Sequence, residues 1–238
     1  DHIVAISARV RDQILTKGVP AESVSLIYSA IDADDCIPQW SRDQFREAFG
    51  LAAADIVVVC AAQFIRRKGH KALIEAWQAV VHACPNARLL LFGRGPGELE
   101  IEALVRRLKL DDSVHFPGFR EDLRAFLGCA DMLAHPASAE GLGVVLLEAQ
   151  AAGLPVVAFE AGGVGEAVVA DETALLADPD DQAGLQTALI RLCQDPGLRG
   201  RLGHAGRQRV QAEFSPGKMA ESYYALYQQV LNREPATA

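Results

Sequence analysis

The sequence predicts an α/β fold in which a parallel sheet is covered by helices on both faces. Two observations predict it. Apolar strand candidates alternate with helical segments from residue 56 to residue 176. The strands are apolar along their whole length instead of at every second position, as expected for strands buried on both faces. Right-handed crossovers between such strands give a doubly wound, Rossmann-like domain.

The elements follow in order. Ile56–Ala61 is a continuous β-branched run and the first strand. A helix is expected over about residues 70–82, a strand over 88–92 and a helix over about 98–108. Residues 114–116 and 132–135 read as short strands, separated by a helix around 122–127. A helix opening at about Gly143 stops at Gly153-Leu154-Pro155 and leads into the strand 156–159. Residues 174–176 read as a last strand. Beyond Asp178 the pattern turns helical, over 181–194, 197–213 and 216–231. Pro179, Pro196 and Pro216 suit first-turn positions. Glu234 to Ala238 reads as a frayed tail.

Composition narrows the class. The chain has 238 residues, half of them hydrophobic, which suits one large or two small soluble domains. A formal charge of −8 argues against a nucleic-acid surface, which would need a basic stripe. The five cysteines are scattered without a C-x-x-C pair, so they read as reduced thiols in a cytosolic protein. His115, His135 and His204 lack metal-ligand spacing, so they read as structural histidines and no metal is expected. The sequence has no run apolar enough to span a bilayer and no signal peptide. Asp1 reads as a boundary left by trimming.

The chemistry concentrates between Glu140 and Glu166, in EGLGVVLLEAQAAGLPVVAFEAGGVGE. A helix opening at Gly143 leaves its first N–H groups unpaired, and with the helix dipole they form a seat for phosphate oxygens. Glu148 then lies about 7–8 Å along the axis, within reach of a ribose diol whose diphosphate rests at the helix tip. Glu140, on the preceding loop, faces whatever group the diphosphate carries. The geometry suggests a nucleotide–diphosphate–sugar ligand. Taken alone, two glutamates at this spacing are more often an ordinary surface-helix pattern.

The block as a whole is more specific. Pro136 to Gly143, Leu147-Glu148-Ala149, Ala152 to Val157 and Gly162 to Glu166 together resemble the signature of the family 4 retaining glycosyltransferases. The resemblance implies a GT-B enzyme of two Rossmann-like lobes, with the nucleotide sugar held mainly by the C-terminal lobe. Residues 1–35 resemble the last elements of the acceptor lobe and the linker leaving it. Residues 36–214 then form the nucleotide-sugar-binding domain, and 215–238 a helix and tail that pack back on the acceptor lobe. On this reading most of the acceptor lobe is missing, and the chain alone transfers little or nothing.

The resemblance extends to further site residues. Gln63 to His70 is similar to the family's phosphate-binding loop, implying that Lys68 and Arg67 neutralise the diphosphate and stabilise it as a leaving group. Relatives carry glycine and arginine where this chain has Ala62 and Gln63, which leaves Arg66 and Arg67 as alternatives for the arginine role. Phe92 to Glu98 resembles the segment beside the nucleoside, implying a role for Gly95. Val114 to Arg120 is similar to the stretch lining the base pocket, implying contacts from Phe119 and Arg120, which read equally as surface residues. Gly162 to Glu166 would put Gly163 and its neighbours beside sugar and phosphates as an anion nest, or would simply cap the preceding strand. Gly141, Leu142, Gly143 and Val144 would supply the helix tip, Glu148 the ribose contact and Glu140 the contact to sugar hydroxyls near the reacting carbon.

No cofactor is implied beyond the donor itself, a UDP-, GDP- or ADP-sugar. The acceptor is an unidentified glycan, lipid or small molecule. Any peripheral membrane contact would come through the missing lobe, at the inner face of the membrane of an otherwise cytoplasmic protein. Surface bared by that lobe predicts non-native self-association through the first thirty residues and the last helix. A non-catalytic nucleotide-sugar module, or another GT-B enzyme such as an epimerase or hydrolase, stands as the alternative.

Overall fold

The computed structural model describes residues 2–179 and 181–232. The tail predicted at 234–238 lies outside the described residues.

Six parallel strands make the central sheet: β3 (Ile56–Ala61), β4 (Ala87–Phe92), β5 (Val114–Gly118), β6 (Met132–His135), β7 (Val156–Phe159) and β8 (Ala174–Ala177). Their spatial order is β5-β4-β3-β6-β7-β8. Strand β3 is the central pivot, pairing in register with β4 from Ile56↔Ala87 to Ala61↔Phe92 and with β6 at Val58↔Met132 and Val59↔Leu133. The all-apolar strands follow from this position. Val58 and Cys60 face one core layer while Val57 and Val59 face the other, and all four are fully buried. Pro117 falls on the edge strand β5, where a missing donor is tolerated.

Helices α3 (His70–Ala83), α4 (Glu98–Arg107) and α8 (Gln182–Gln194) contribute to one face, with Trp77 and Leu189 as fully buried anchors. Helices α2 (Arg42–Ala48), α5 (Leu123–Phe126) and α6 (Val144–Ala151) contribute to the other. Helix α9 (Pro196–Glu213) adds Leu198 and Leu202 to the first layer and Val210 to the second. Local chemistry fixes several helix starts. Ser41 and Gln44 form a reciprocal capping box on α2, and Asp195 caps α9 ahead of Pro196. Ser215 and Pro216 open the last helix, α10 (Pro216–Leu231).

The first residues form a small sheet of their own. Strands β1 (Ile3–Ala5) and β2 (Val24–Leu26) pair in parallel as a two-stranded sheet around α1 (Ala8–Leu15). A short helix, α7 (Val164–Ala167), follows β7. Among the described residues no helix is long and apolar enough to cross a membrane. All five cysteines are free and buried.

Candidate functional site

The chain leaves β3 toward β4 on one side and β6 toward β7 on the other, so strand order reverses between β3 and β6. Ligand crevices in open α/β sheets form at that point, beyond the carboxyl ends of the strands. Here the loops 62–69 and 136–143 meet. The amide of Ser138 donates to the Arg67 carbonyl at 2.9 Å, and Arg67 Nη1 donates back to the Ala139 carbonyl at 3.3 Å. Gly69 makes this contact feasible: its φ is +75°, and an added Cβ would lie 1.8 Å from the Pro136 carbonyl oxygen.

The joined loops bring Lys68 onto Glu140. Lys68 Nζ pairs with Glu140 Oε2, and His135 Nε2 lies 3.0 Å from the same oxygen. The amide of Gly141 donates to Oε1 at 3.2 Å. Burial pushes the Glu140 carboxyl upward, but the hydrogen bonds from His135 and Lys68 outweigh it and hold the group down at about 2. Glu140 is therefore an anion at neutral pH, and His135 Nε2 must be the donor. Behind this cluster His70 is buried and stacked on Phe64 at 4.4 Å between centroids. Burial, with the nearby His135 and Lys68, pulls the His70 imidazole down to about 4.

Gly143, with φ +85°, opens helix α6, and no side chain caps its first turn. An added Cβ on Gly143 would lie 3.2 Å from Glu140 Cγ, so the helix tip borders the lysine–glutamate pair. One turn on, Glu148 lines a cavity of about 280 Å³ with Gln63, Gly93, Arg94, Phe119, Arg120 and Val145. Arg124 Nε and Nη2 both contact Glu148 Oε1, at 2.8 and 2.7 Å. The predicted residues Glu148, Phe119 and Arg120 thus share one cavity, while Lys68, Arg67 and Glu140 meet where the two loops join ahead of α6.

Other predicted residues have different surroundings. Arg120 forms a two-point pair with Asp122 at 2.7 and 2.6 Å and lies over the Phe126 ring at 5.2 Å, so its guanidinium is largely engaged at the cavity wall. Phe119 is 53% exposed at the mouth, with Arg94 stacked over its ring at 4.8 Å. Gly95 has a packing reason to be glycine, since a Cβ there would meet Phe64 backbone at 2.7 Å. Arg66 and Arg67 separate. Arg66 lines a second cavity with His70 and Lys71, whereas Arg67 lies against the Glu140 loop.

In the segment 162–166, expected as an anion nest or a strand cap, Gly163 and Glu166 have partners within the protein. The amide of Gly163 is spent on the Glu140 carbonyl at 3.0 Å, and a Cβ on Gly163 would lie 2.0 Å from the Gly141 carbonyl oxygen. Glu166 faces the first residues instead. Its carboxylate accepts the amides of Ala8 at 2.6 Å and Arg9 at 2.9 Å, and the Tyr28 hydroxyl at 3.0 Å. It caps α1, an acid at a helix N-terminus. His135, Arg124 and Glu166 are the polar partners that sequence reasoning missed. His135 carried one signal, its place on the strand five residues before Glu140. Among the described residues no group of three His, Cys, Asp or Glu side chains is arranged to hold a metal ion.

Residues 41–209 match the family described as glycosyl transferases group 1. The chain belongs to that family. This group 1 chain is 33% identical over 203 residues to the lipopolysaccharide core biosynthesis glycosyltransferase LpsD of Rhizobium meliloti, covering 79% of itself and 58% of the relative. It is 37% identical over 206 residues to the GDP-mannose-dependent monoacylated alpha-(1-6)-phosphatidylinositol monomannoside mannosyltransferase of Corynebacterium glutamicum, covering 81% of itself and 53% of the relative. The chain thus spans a little over half the length of these curated relatives. Among solved structures, sucrose-phosphate synthase from Thermosynechococcus elongatus superposes with a TM-score of 0.84 at 30% identity, over 97% of this chain and 58% of that one. Anabaena HepE, solved with UDP and glucose, superposes with a TM-score of 0.89 at 23% identity, over 96% and 63%. The fold is that of the Rossmann-like lobe of GT-B glycosyltransferases.

Proposed function

We propose that this group 1 chain is the donor-binding part of a retaining glycosyltransferase that takes a nucleotide-diphosphate sugar. The observation carrying the reading is the arrangement around the tip of α6. Lys68 and Glu140 pair on the loops ahead of the helix, and Glu148, further along it, lines a cavity of about 280 Å³. The nucleoside occupies the cavity, with Glu148 accepting the ribose hydroxyls and Phe119 and Arg120 at its rim. The diphosphate crosses the tip, held by Lys68, Arg67 and the amides around Gly143 and Val144, as anions are held at helix N-termini. Glu140 accepts sugar hydroxyls near the reacting carbon. The cationic side chains and the helix dipole stabilise the diphosphate as it leaves.

Residues 36–214 are assigned to donor binding, residues 1–35 to the acceptor lobe and linker, and the helix Pro216–Leu231 to a segment returning to that lobe. The acceptor is a glycan, lipid or small molecule met in the cleft between lobes, in a cytoplasmic protein. The name of the mannosyltransferase relative and the UDP in the HepE structure support a nucleotide sugar without selecting its base. Titration of the chain with UDP, GDP and ADP and their sugar conjugates tests the reading. It expects one saturable series, weakened by Glu148→Ala and by Lys68→Ala. Binding indifferent to both substitutions, or a lack of saturable binding, would overturn it.

A further inference from the structure

The two donors on Glu140 Oε2 differ in kind. His135 is the last residue of β6, 1% exposed and fixed to the centre of the sheet. Lys68 ends a short 3₁₀ turn and reaches Glu140 on a flexible four-carbon stem, with a compact charge that can be re-aimed. Without a diphosphate, Lys68 and Glu140 neutralise one another, so neither is free for the task the proposed function gives it. An incoming diphosphate carries more negative charge than one carboxylate and offers Lys68 a stronger partner. Once the lysine turns away, Glu140 would retain only the Gly141 amide at 3.2 Å on Oε1 and whatever still holds Oε2.

We propose that Lys68 exchanges Glu140 for the donor's diphosphate, and that His135 is the positioning residue that keeps Glu140 aligned through the exchange. The lone pair of Oε2 that Lys68 vacates then points to the sugar, while the Nε2–H of His135 fixes the carboxylate's rotation and offsets part of its burial cost. Pairing with Glu140 also keeps Lys68 from wandering into solvent. This inference rests on the reading that Glu140 meets the sugar. A histidine with only a packing role would affect nucleotide and nucleotide sugar alike.

The experiment titrates the chain calorimetrically with UDP, GDP and ADP and with UDP-glucose, GDP-mannose and ADP-glucose, in wild type, Glu140→Gln, His135→Ala and His135→Gln. The ratio of conjugate to bare-nucleotide affinity is the readout. Glu140→Gln should lower that ratio about tenfold, the weight of one charge-assisted hydrogen bond. His135→Ala should lower it to a similar degree with nucleotide affinity unchanged within about twofold, and His135→Gln, which restores an amide N–H near the lost Nε2–H, should recover most of it. If the ratio stays at its wild-type value in His135→Ala but falls in Glu140→Gln, the inference fails while the proposed function stands. If Glu140→Gln leaves the ratio unchanged, the proposed function fails at its sugar contact. Wild-type protein offers a check that does not depend on a variant folding: in ¹H–¹⁵N spectra, nucleotide should shift the Lys68 ammonium signal and leave the His135 Nε2–H signal in place. Loss of the His135 signal on nucleotide addition overturns the inference.

Discussion

Arg124 grips a single oxygen of Glu148, with Nε and Nη2 at 2.8 and 2.7 Å from Oε1. The contact ties helix α5 to α6 and sets the rotation of the acid that lines the cavity proposed for the nucleoside. The guanidinium is about half exposed, so the pair adds little to stability and its effect is on orientation. Arg124→Ala should therefore leave the melting temperature within a degree or two and weaken nucleotide binding about three- to tenfold. Calorimetric titration beside a thermal melt checks both halves.

Glu166 joins the first residues to the rest of the molecule through Ala8, Arg9 and Tyr28. Losing a helix cap costs about 1 kcal/mol, and the lost Tyr28 bond adds a comparable amount. Glu166→Ala should lower the melting temperature by roughly 4–8 °C for a chain of this size. Glu166→Gln should lower it less, because the amide oxygen still accepts from one of the two α1 amides.

Acid should weaken the fold in two pH windows. His70 is held neutral by burial at a value near 4, below its ordinary 6.5, so the unfolded chain binds a proton first. Stability is therefore full above pH 6.5 and declines as pH falls toward 4. Glu140, held at about 2 against an ordinary 4.5, contributes stability above pH 4.5 that is lost as pH falls toward 2. Denaturant midpoints across pH 7 to 3 should show both declines. His70→Phe, where it folds, should flatten the upper window only, and Glu140→Gln the lower one.

Gly69 carries the contact between the two loops. Its φ is +75° and its would-be Cβ lies 1.8 Å from the Pro136 carbonyl oxygen, so neither the backbone nor the neighbour can yield cheaply. Gly69→Ala should destabilise by roughly 2–4 kcal/mol and separate Lys68 from Glu140. Nucleotide affinity should fall with stability, in contrast to Arg124→Ala.

Much of the sheet was legible in the chain, because Ile56–Ala61 and Val156–Phe159 are apolar runs of strand length between turn residues. The bounds of β4, β5 and β8 shifted by one or two residues where pairing extended them, as at Gly118 opposite Phe92. Strand order was not legible, since it depends on pairings such as Val58↔Met132 that no local pattern records. Helix α2 carried a readable capping box in Ser41 and Gln44, but its exposed, charged turns lacked a long apolar stripe. The glutamate pair, Lys68 and the α6 start were visible as motif. Their partners were not: Arg124 is 24 positions from Glu148, and Ala8 is 158 from Glu166. Gly163 looked like an anion seat because glycine records only that space is short. It does not say whether a ligand or the Gly141 carbonyl fills it.

The most direct measurement compares the best-binding diphosphate nucleotide with its 2′-deoxy form, in wild type and in Glu148→Ala. If Glu148 accepts the ribose hydroxyls, wild type should lose about tenfold or more in affinity when the 2′-hydroxyl is removed, a charge-assisted hydrogen bond being worth roughly 1.5–3 kcal/mol. Glu148→Ala should bind both forms weakly and equally. A wild-type protein that does not distinguish the two, or a Glu148→Ala variant that still does, would contradict the account.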